Sequence, residues 1–101
     1  MVEIIDIEYD KHYDALKNYL KSTDDDKDNI LNLLKRGHHV IMSHCGVFDL
    51  ENEVGRDLVF DYVRFAYNGY REHFFSSFEY ELNGFRWQIY TDAGDADVEE
   101  T

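Results

Sequence analysis

The spacing of apolar residues predicts three helices in this chain. In segments 10–21, 28–37 and 52–71, apolar residues recur at intervals of three and four, which places them on one face of a helix. In the second segment the apolar residues end at Leu34, and Lys35, Arg36 and Gly37 follow. We expect Gly37 to end that helix, because glycine accepts the left-handed conformation in which many helices terminate.

Two further segments have the character of strands. Segment 2–9 alternates apolar and acidic residues, which favours a short strand or an extended lead-in. Segment 38–44 has β-branched residues at its centre and predicts a buried strand. The pair Cys45-Gly46 then indicates a turn, across which segment 47–50 would complete a small hairpin.

The strongest local pattern lies near the C-terminus. Two aromatic-rich runs, FFSSFEYEL from Phe74 and FRWQIYT from Phe85, flank the pair Asn83-Gly84. This pair favours the two-residue turn in which both central residues have positive φ. Apolar and polar residues alternate on both sides of it, so we expect a β-hairpin with one buried face and one charged face.

Together these elements predict an α+β fold. About three helices pack on a small, mostly antiparallel sheet that includes the C-terminal β-hairpin. We expect a single domain over residues 1–91. Residues 92–101 contain five acids and no base, and we expect them to form an acidic, flexible tail.

Composition bounds the class of protein. The chain has 101 residues, of which 44% are hydrophobic and 16% aromatic, enough to fill one core and too many for wholesale disorder. No run approaches the roughly 20 apolar residues of a membrane span, and the first residues lack the pattern of a signal peptide. The only cysteine, Cys45, excludes an internal disulfide and fits a reducing compartment. We expect a soluble, cytoplasmic protein.

The net charge restricts the partners. Twenty-two acids against ten bases give a formal charge of -12, beyond the magnitude of about 2 to 8 that suffices for a small soluble domain. Such a surface repels nucleic acid and anionic membranes, and it attracts basic proteins. The alternative is that the charge serves solubility alone.

Three acids of the third predicted helix recur at intervals of four: Glu53, Asp57 and Asp61. Side chains at this interval form one stripe, with about 5 to 6 Å between Cβ atoms, and like charges there repel each other by a few tenths of a kcal/mol. Successive phosphates of a DNA strand advance by about 3.4 Å along the axis. The stripe therefore resembles a short phosphate row. The alternative is an ordinary solvated helix face.

Acidic groups also occur in other elements, so a fold can arrange them in a curved array. The partner-binding candidates that join the stripe are the run Asp24, Asp25 and Asp26 and the pair Asp49 and Glu51. Tyrosines interleaved with the acids can anchor a protein interface. The candidates are Tyr9, Tyr67, Tyr70 and Tyr90, although most aromatic residues are expected in the core.

Signatures of catalysis and metal binding are missing. The sequence has no glycine-rich phosphate loop, no nucleophile elbow, no HExxH and no CxxC, so we expect neither an enzyme nor a cofactor. Four potential metal ligands lie close together in the sequence: His38, His39, His44 and Cys45. On a strand they would project from both sides, and they would be too far apart in space to ligate one ion. We expect no metal site and assign these four residues structural roles.

Size, charge and element types resemble those of the small acidic phage proteins that imitate DNA, the antirestriction proteins of the Arn and Ocr types and some anti-CRISPR proteins. The resemblance covers the whole chain but includes no shared motif, so it assigns no residues. It implies a DNA-mimic inhibitor that occupies the basic nucleic-acid-binding cleft of a host defence protein. Such inhibitors often form homodimers, which lengthen the mimic. Two alternatives are an immunity protein or antitoxin that neutralises a basic nuclease, and a generic acidic adaptor.

Overall fold

The structure is a computed structural model that describes residues 9–21 and 26–100. These residues form five α-helices and one 3₁₀ turn, and they contain no strand. The elements are α1 (Tyr13–Leu20), α2 (Lys27–Cys45), α3 (Glu53–Tyr67), the 3₁₀ turn (Arg71–His73), α4 (Phe74–Ser77) and α5 (Glu79–Glu100). The helices predicted within 10–21 and 52–71 are confirmed as α1 and α3.

The predicted α+β class is wrong for the described residues, which form an all-α fold. The expected strand 38–44 is the second half of α2, and the expected partner 47–50 belongs to the loop between α2 and α3. The expected C-terminal β-hairpin is α4 and α5. The predicted strand or lead-in at 2–9 lies outside the described residues except for Tyr9.

Helix α2 does not stop at Gly37, because its buried positions continue at the same spacing. Ile30, Leu34 and Gly37 are followed by His38, Ile41 and Cys45, all buried. Gly37 instead allows α2 and α3 to approach each other, since a Cβ atom there would lie 3.1 Å from Cδ1 of Tyr62. Among the described helices, this pair has the most extensive contact.

The predicted hairpin fails for a similar reason. Phe78, Leu82, Phe85 and Ile89 follow one another at intervals of four, three and four, and they pack into or against the core. The same residues satisfy an alternating pattern, so the sequence matches both periods. Burial of this helical face decides between them. Neither residue of the pair Asn83-Gly84 has positive φ.

Aromatic rings fill the space between α3 and the C-terminal helices. Phe74 is fully buried and lies edge-on to Tyr62, with ring centroids 5.3 Å apart, and to Phe65 at 5.9 Å. It also stacks on Phe78 at 4.9 Å. The aromatic run after Phe74 therefore supplies core rings from a helical turn.

The domain boundary at residue 91 stays a prediction. Helix α5 continues past it to Glu100. None of the helices in the described part of the chain combines the length and the apolar character needed to cross a membrane.

Candidate functional site

The structure divides the predicted acidic stripe of α3 into two parts. Glu53 and Asp57 lie on the first turns of the helix and are exposed. Within residues 9–21 and 26–100, no base forms an ion pair with either carboxylate. They are uncompensated negative charges one helical turn apart.

Asp61, the third residue of the stripe, faces a neighbouring helix. Its side chain is only 19% exposed, and it accepts a hydrogen bond from the hydroxyl of Tyr19 on α1. Nη2 of Arg64 lies 3.6 Å from the same carboxylate. Burial and the bond to Asp61 raise the pKa of Tyr19, so its hydroxyl remains a donor. Asp61 thus links α1 to α3 and presents little charge to solvent.

The predicted pair Asp49 and Glu51 lies in the loop before α3. Oδ1 of Asp49 accepts a hydrogen bond from the backbone N–H of Glu51 at 3.0 Å, which fixes the turn. Nζ of Lys11 lies 3.3 Å from the Glu51 carboxylate and holds its pKa below the usual value. His12 Nε2 also lies 3.3 Å away, without the geometry of a hydrogen bond.

Four exposed acids lie in this loop and on the first turns of α3, and we call them the acidic edge: Asp49, Glu51, Glu53 and Asp57. The nearby base Arg56 is half-buried, and its guanidinium donates to the carbonyl oxygen of Leu50 at 3.1 Å. This N–H group of Arg56 therefore bonds to the backbone and not to a carboxylate. The edge therefore keeps an excess of negative charge.

A second acidic group surrounds the start of α2. Asp26 caps this helix by accepting a hydrogen bond from the N–H of Asn29 at 3.1 Å, whereas Asp24 and Asp25 lie outside the described residues. Asp10 lies 2.6 Å from Nζ of Lys27. This hydrogen bond, with a smaller contribution from the charge of Asp14, raises the pKa of Lys27.

The residues just before α1 connect the two acidic groups. Asp10 pairs with Lys27 at the start of α2, and the adjacent Lys11 pairs with Glu51 on the acidic edge. The prediction of site residues missed Asp14, although its interval of four from Asp10 repeats the spacing of the α3 stripe.

Helix starts hold several of these carboxylates in place. Asp26 is the N-cap of α2, and Glu53 lies in the first turn of α3, whose N-cap Asn52 accepts from the N–H of Gly55 at 3.1 Å. Acids at this end are favoured by the helix dipole by about 0.3 to 1 kcal/mol each. The charges are thereby attached to well-formed helix ends.

His38 is a structural residue on α2. Its Nε2 lies 2.8 Å from the carbonyl oxygen of Phe48, and because a carbonyl only accepts, Nε2 carries the hydrogen. Nδ1 then accepts from the hydroxyl of Tyr9 at 2.8 Å. Burial lowers the pKa of His38, which keeps the ring neutral. Both ring nitrogens are occupied within the fold.

The other three residues of this segment also lie on α2, one buried and two exposed. Cys45 is buried, its Sγ donates to the carbonyl oxygen of Leu82 at 3.4 Å, and burial raises the pKa of its thiol. His39 and His44 are exposed, and the ring of His44 lies 4.4 Å from that of Phe75. Among the described residues, no group of three or more acidic, histidine or cysteine side chains is arranged to hold a metal ion.

The exposed aromatic residues differ from those expected. Tyr9 is buried, with an exposed fraction of only 5%. Tyr70 and Tyr90 are exposed as predicted, with exposed fractions of 59% and 69%. Tyr80 and Trp87 are also exposed, although the hairpin prediction assigned them to the buried face. Because this segment was predicted as strands and is a helix, the sequence prediction missed the exposed aromatic residues of α5.

Comparisons with known protein families, curated proteins and solved structures find no match to this chain.

Proposed function

We propose that this protein is a DNA-mimic inhibitor. It occupies the basic nucleic-acid-binding cleft of a host defence protein of the restriction or CRISPR type, in the host cell cytoplasm if it is phage-encoded. The observation that carries the proposal is the acidic edge, in which Glu53 and Asp57 have no compensating base among the described residues. The formal charge of -12 supports a strongly basic partner.

Inhibition would occur by occupancy and needs no chemistry. Carboxylates on helix ends meet the Lys and Arg side chains that otherwise hold phosphates, and the long-range field accelerates the encounter. Salt weakens this attraction, because the screening length falls to about 10 Å at 0.1 M ionic strength. The inhibitor and duplex DNA therefore exclude each other from the same cleft.

The exposed aromatics Tyr80, Trp87 and Tyr90 favour a second candidate, an immunity protein or antitoxin that neutralises one basic nuclease. Such a protein would inhibit a single enzyme and ignore other DNA-binding proteins. A generic acidic adaptor would bind its partner without displacing DNA from it.

The test begins with the immobilised protein and a nuclease-treated bacterial lysate at low salt. Proteins released by high salt are identified and purified, and each is loaded with a fluorescent DNA duplex. Fluorescence anisotropy then measures whether the inhibitor displaces the duplex. We expect at least one captured DNA-binding protein to release its duplex, with an apparent affinity for the inhibitor that falls as salt rises.

Charge reversals locate the contact. Glu53→Lys and Asp57→Lys are expected to weaken displacement by about tenfold or more each, since each replaces an attraction by a repulsion. Glu72→Lys is the control, because Glu72 is exposed, lies on the 3₁₀ turn outside the acidic edge and produces the same change in net charge. Asp61 is excluded, since its reversal would disturb the contact between α1 and α3.

Two results would refute the proposal. Captured proteins that bind the inhibitor and duplex DNA at the same time would exclude mimicry. Equal effects of Glu53→Lys and Glu72→Lys would show that net charge alone drives binding and that the acidic edge has no special role.

A further inference from the structure

Helix α5 carries exposed aromatic side chains that do not belong to the core. Leu82 and Phe85, which are 6% and 2% exposed, form its core-facing side. Trp87 and Tyr90 are 67% and 69% exposed. At about 100° per residue, the mean direction of these two rings lies about 140° around the helix from that of Leu82 and Phe85. A helix that only closed the core would not need them.

The two exposed rings border a recess on α5. Four residues line it: Asn83, Arg86, Trp87 and Tyr90. At about 100° per residue, all four fall within about 100° of the helix circumference. The volume of the recess is about 480 Å³, which lies within the range of about 300 to 1,000 Å³ for small-molecule sites. We call it the α5 recess.

Arg86 gives the α5 recess a positive charge. Within residues 9–21 and 26–92, no acid forms an ion pair with this guanidinium. It stays unpaired although the chain has 22 acids and 10 bases. The side-chain amide of Asn83 likewise has no hydrogen bond to a side chain or backbone group of these residues. Both polar groups of the recess are therefore available to a ligand.

The acids of α5 lie away from this guanidinium. Glu79 shares its side of the helix but precedes it by seven residues, which is about 10.5 Å along the axis. At physiological salt this separation exceeds the screening length of about 8 Å. Glu81 and Asp92 project at least about 120° around the helix from Arg86. Within the described side chains of α5, Arg86 is therefore the charge that an occupant of the recess meets.

Another recess, at the end of α3, differs in this respect. It also has basic and aromatic side chains, and its lining residues are Arg64, Phe65, Asn68, Tyr70 and His73. Nη2 of Arg64 lies 3.6 Å from the carboxylate of Asp61. Nε2 of His73 lies 3.8 Å from the carboxylate of Glu72. Its basic groups already have acidic neighbours, so the α5 recess is the better site for an anion.

We propose that the α5 recess binds a small aromatic anion. The centroids of the Trp87 and Tyr90 rings are 5.6 Å apart, and a third ring between them would need about 7 Å, so the ligand ring lies across their exposed faces. Its carboxylate or phosphate accepts hydrogen bonds from the guanidinium of Arg86. Polyanions such as nucleic acid are repelled by the formal charge of -12, whereas a small anion meets Arg86 first.

Trp87 is the only tryptophan, so the full chain has a single indole N–H signal in its NMR spectrum, and that signal reports on the recess. The probes are adenosine monophosphate and naphthoate, an aromatic phosphate and an aromatic carboxylate, at physiological salt. We expect both to shift the signal to saturation, and the tighter of the two shows which anionic group the recess prefers. Adenosine, which has the ring without the charge, should bind up to about fivefold more weakly than its monophosphate, the upper range for an exposed ion pair. Ribose phosphate, which has the charge without the aromatic ring, should not saturate the signal.

Variants that keep the reporter test the position. Arg86→Gln should equalise the affinities for adenosine and its monophosphate, because the difference between them comes from this guanidinium. Arg71→Gln is the matched control, since Arg71 is exposed, lies on the 3₁₀ turn outside the α5 recess and gives the same change in net charge. Tyr90→Ala should weaken the binding of both probes alike, by about fivefold or more, because it removes a stacking surface. Circular dichroism confirms that each variant remains helical.

The inference is overturned if neither aromatic anion shifts the Trp87 signal at millimolar concentration, or if Arg86→Gln and Arg71→Gln behave alike. Equal binding of adenosine and its monophosphate by the unmodified chain would also overturn it, because the recess would then recognise no anion. A Trp87 signal that moves on dilution of the free chain, with a dimer in sedimentation, would assign the recess to a second copy instead. The recess contains no residue of the acidic edge, so each of these results leaves the proposed function standing.

Discussion

Replacement of Gly84 by alanine distinguishes the helix from the hairpin that the local sequence suggests. In the structure Gly84 lies inside α5, has no positive φ, and a Cβ atom there would meet nothing within 4 Å. Alanine is therefore accommodated without strain. In an Asn-Gly hairpin turn the same residue would need positive φ, which alanine disfavours.

The two conformations predict opposite signs. Inside a helix, glycine is less favourable than alanine by about 1 kcal/mol, so Gly84→Ala should stabilise the protein by nearly that amount. For a domain of this size the corresponding rise in Tm is about 4 to 8 °C. In a hairpin turn the left-handed conformation would instead cost alanine about 1 to 2 kcal/mol.

Thermal unfolding followed by circular dichroism measures the effect, and Gly69→Ala provides the control. Gly69 has a φ of 83°, and a Cβ atom there would also meet nothing within 4 Å, so only the backbone conformation distinguishes the two sites. Gly69→Ala should lower Tm. A lower Tm for Gly84→Ala as well would refute the helical assignment of residues 79–90.

Three further predictions concern the core. Gly55→Ala should destabilise the protein by about 1 to 3 kcal/mol, measured by urea unfolding, because its Cβ would lie 2.5 Å from ring atoms of the buried Phe48; an unchanged midpoint would contradict this packing. Burial lowers the pKa of His38, so below its ordinary value of 6.5 the folded state binds fewer protons than the unfolded chain. The urea midpoint should therefore fall as the pH drops below this value, and His38→Gln should reduce the slope; an equal slope would assign the effect to other groups. Cys45 should react with a thiol reagent only at the rate of unfolding, since its thiol is buried; fast modification of the native protein would show that it is accessible.

The helices that the sequence predicts correctly are those whose apolar residues fit the spacing of a helix and do not also fit the alternation of a strand. In α3, buried Leu58, Val59, Tyr62 and Val63 match a helix and no strand. The segment after Gly37 has the residue types of a strand, and the run around Asn83-Gly84 has the turn residues of a hairpin. In both, burial of a continuous helical face outweighs local preference.

Some features of the candidate site depend only on the sequence of one helix, and others depend on residues that are distant in sequence. Exposure of Glu53 and Asp57 follows from their position opposite the buried face of α3, which the sequence shows. The burial of Asp61 depends on Tyr19, which is distant in sequence and reaches it only because α1 packs against α3. No spacing rule along one helix contains that information.

The central claim is that the acidic edge competes with DNA for a basic cleft. The most direct test measures displacement of a fluorescent duplex from a captured DNA-binding protein by the unmodified chain and by the double variant Glu53→Lys/Asp57→Lys. We predict displacement that weakens with salt and is lost in the double variant, while Glu72→Lys remains active. Retained displacement by a correctly folded double variant would contradict the claim.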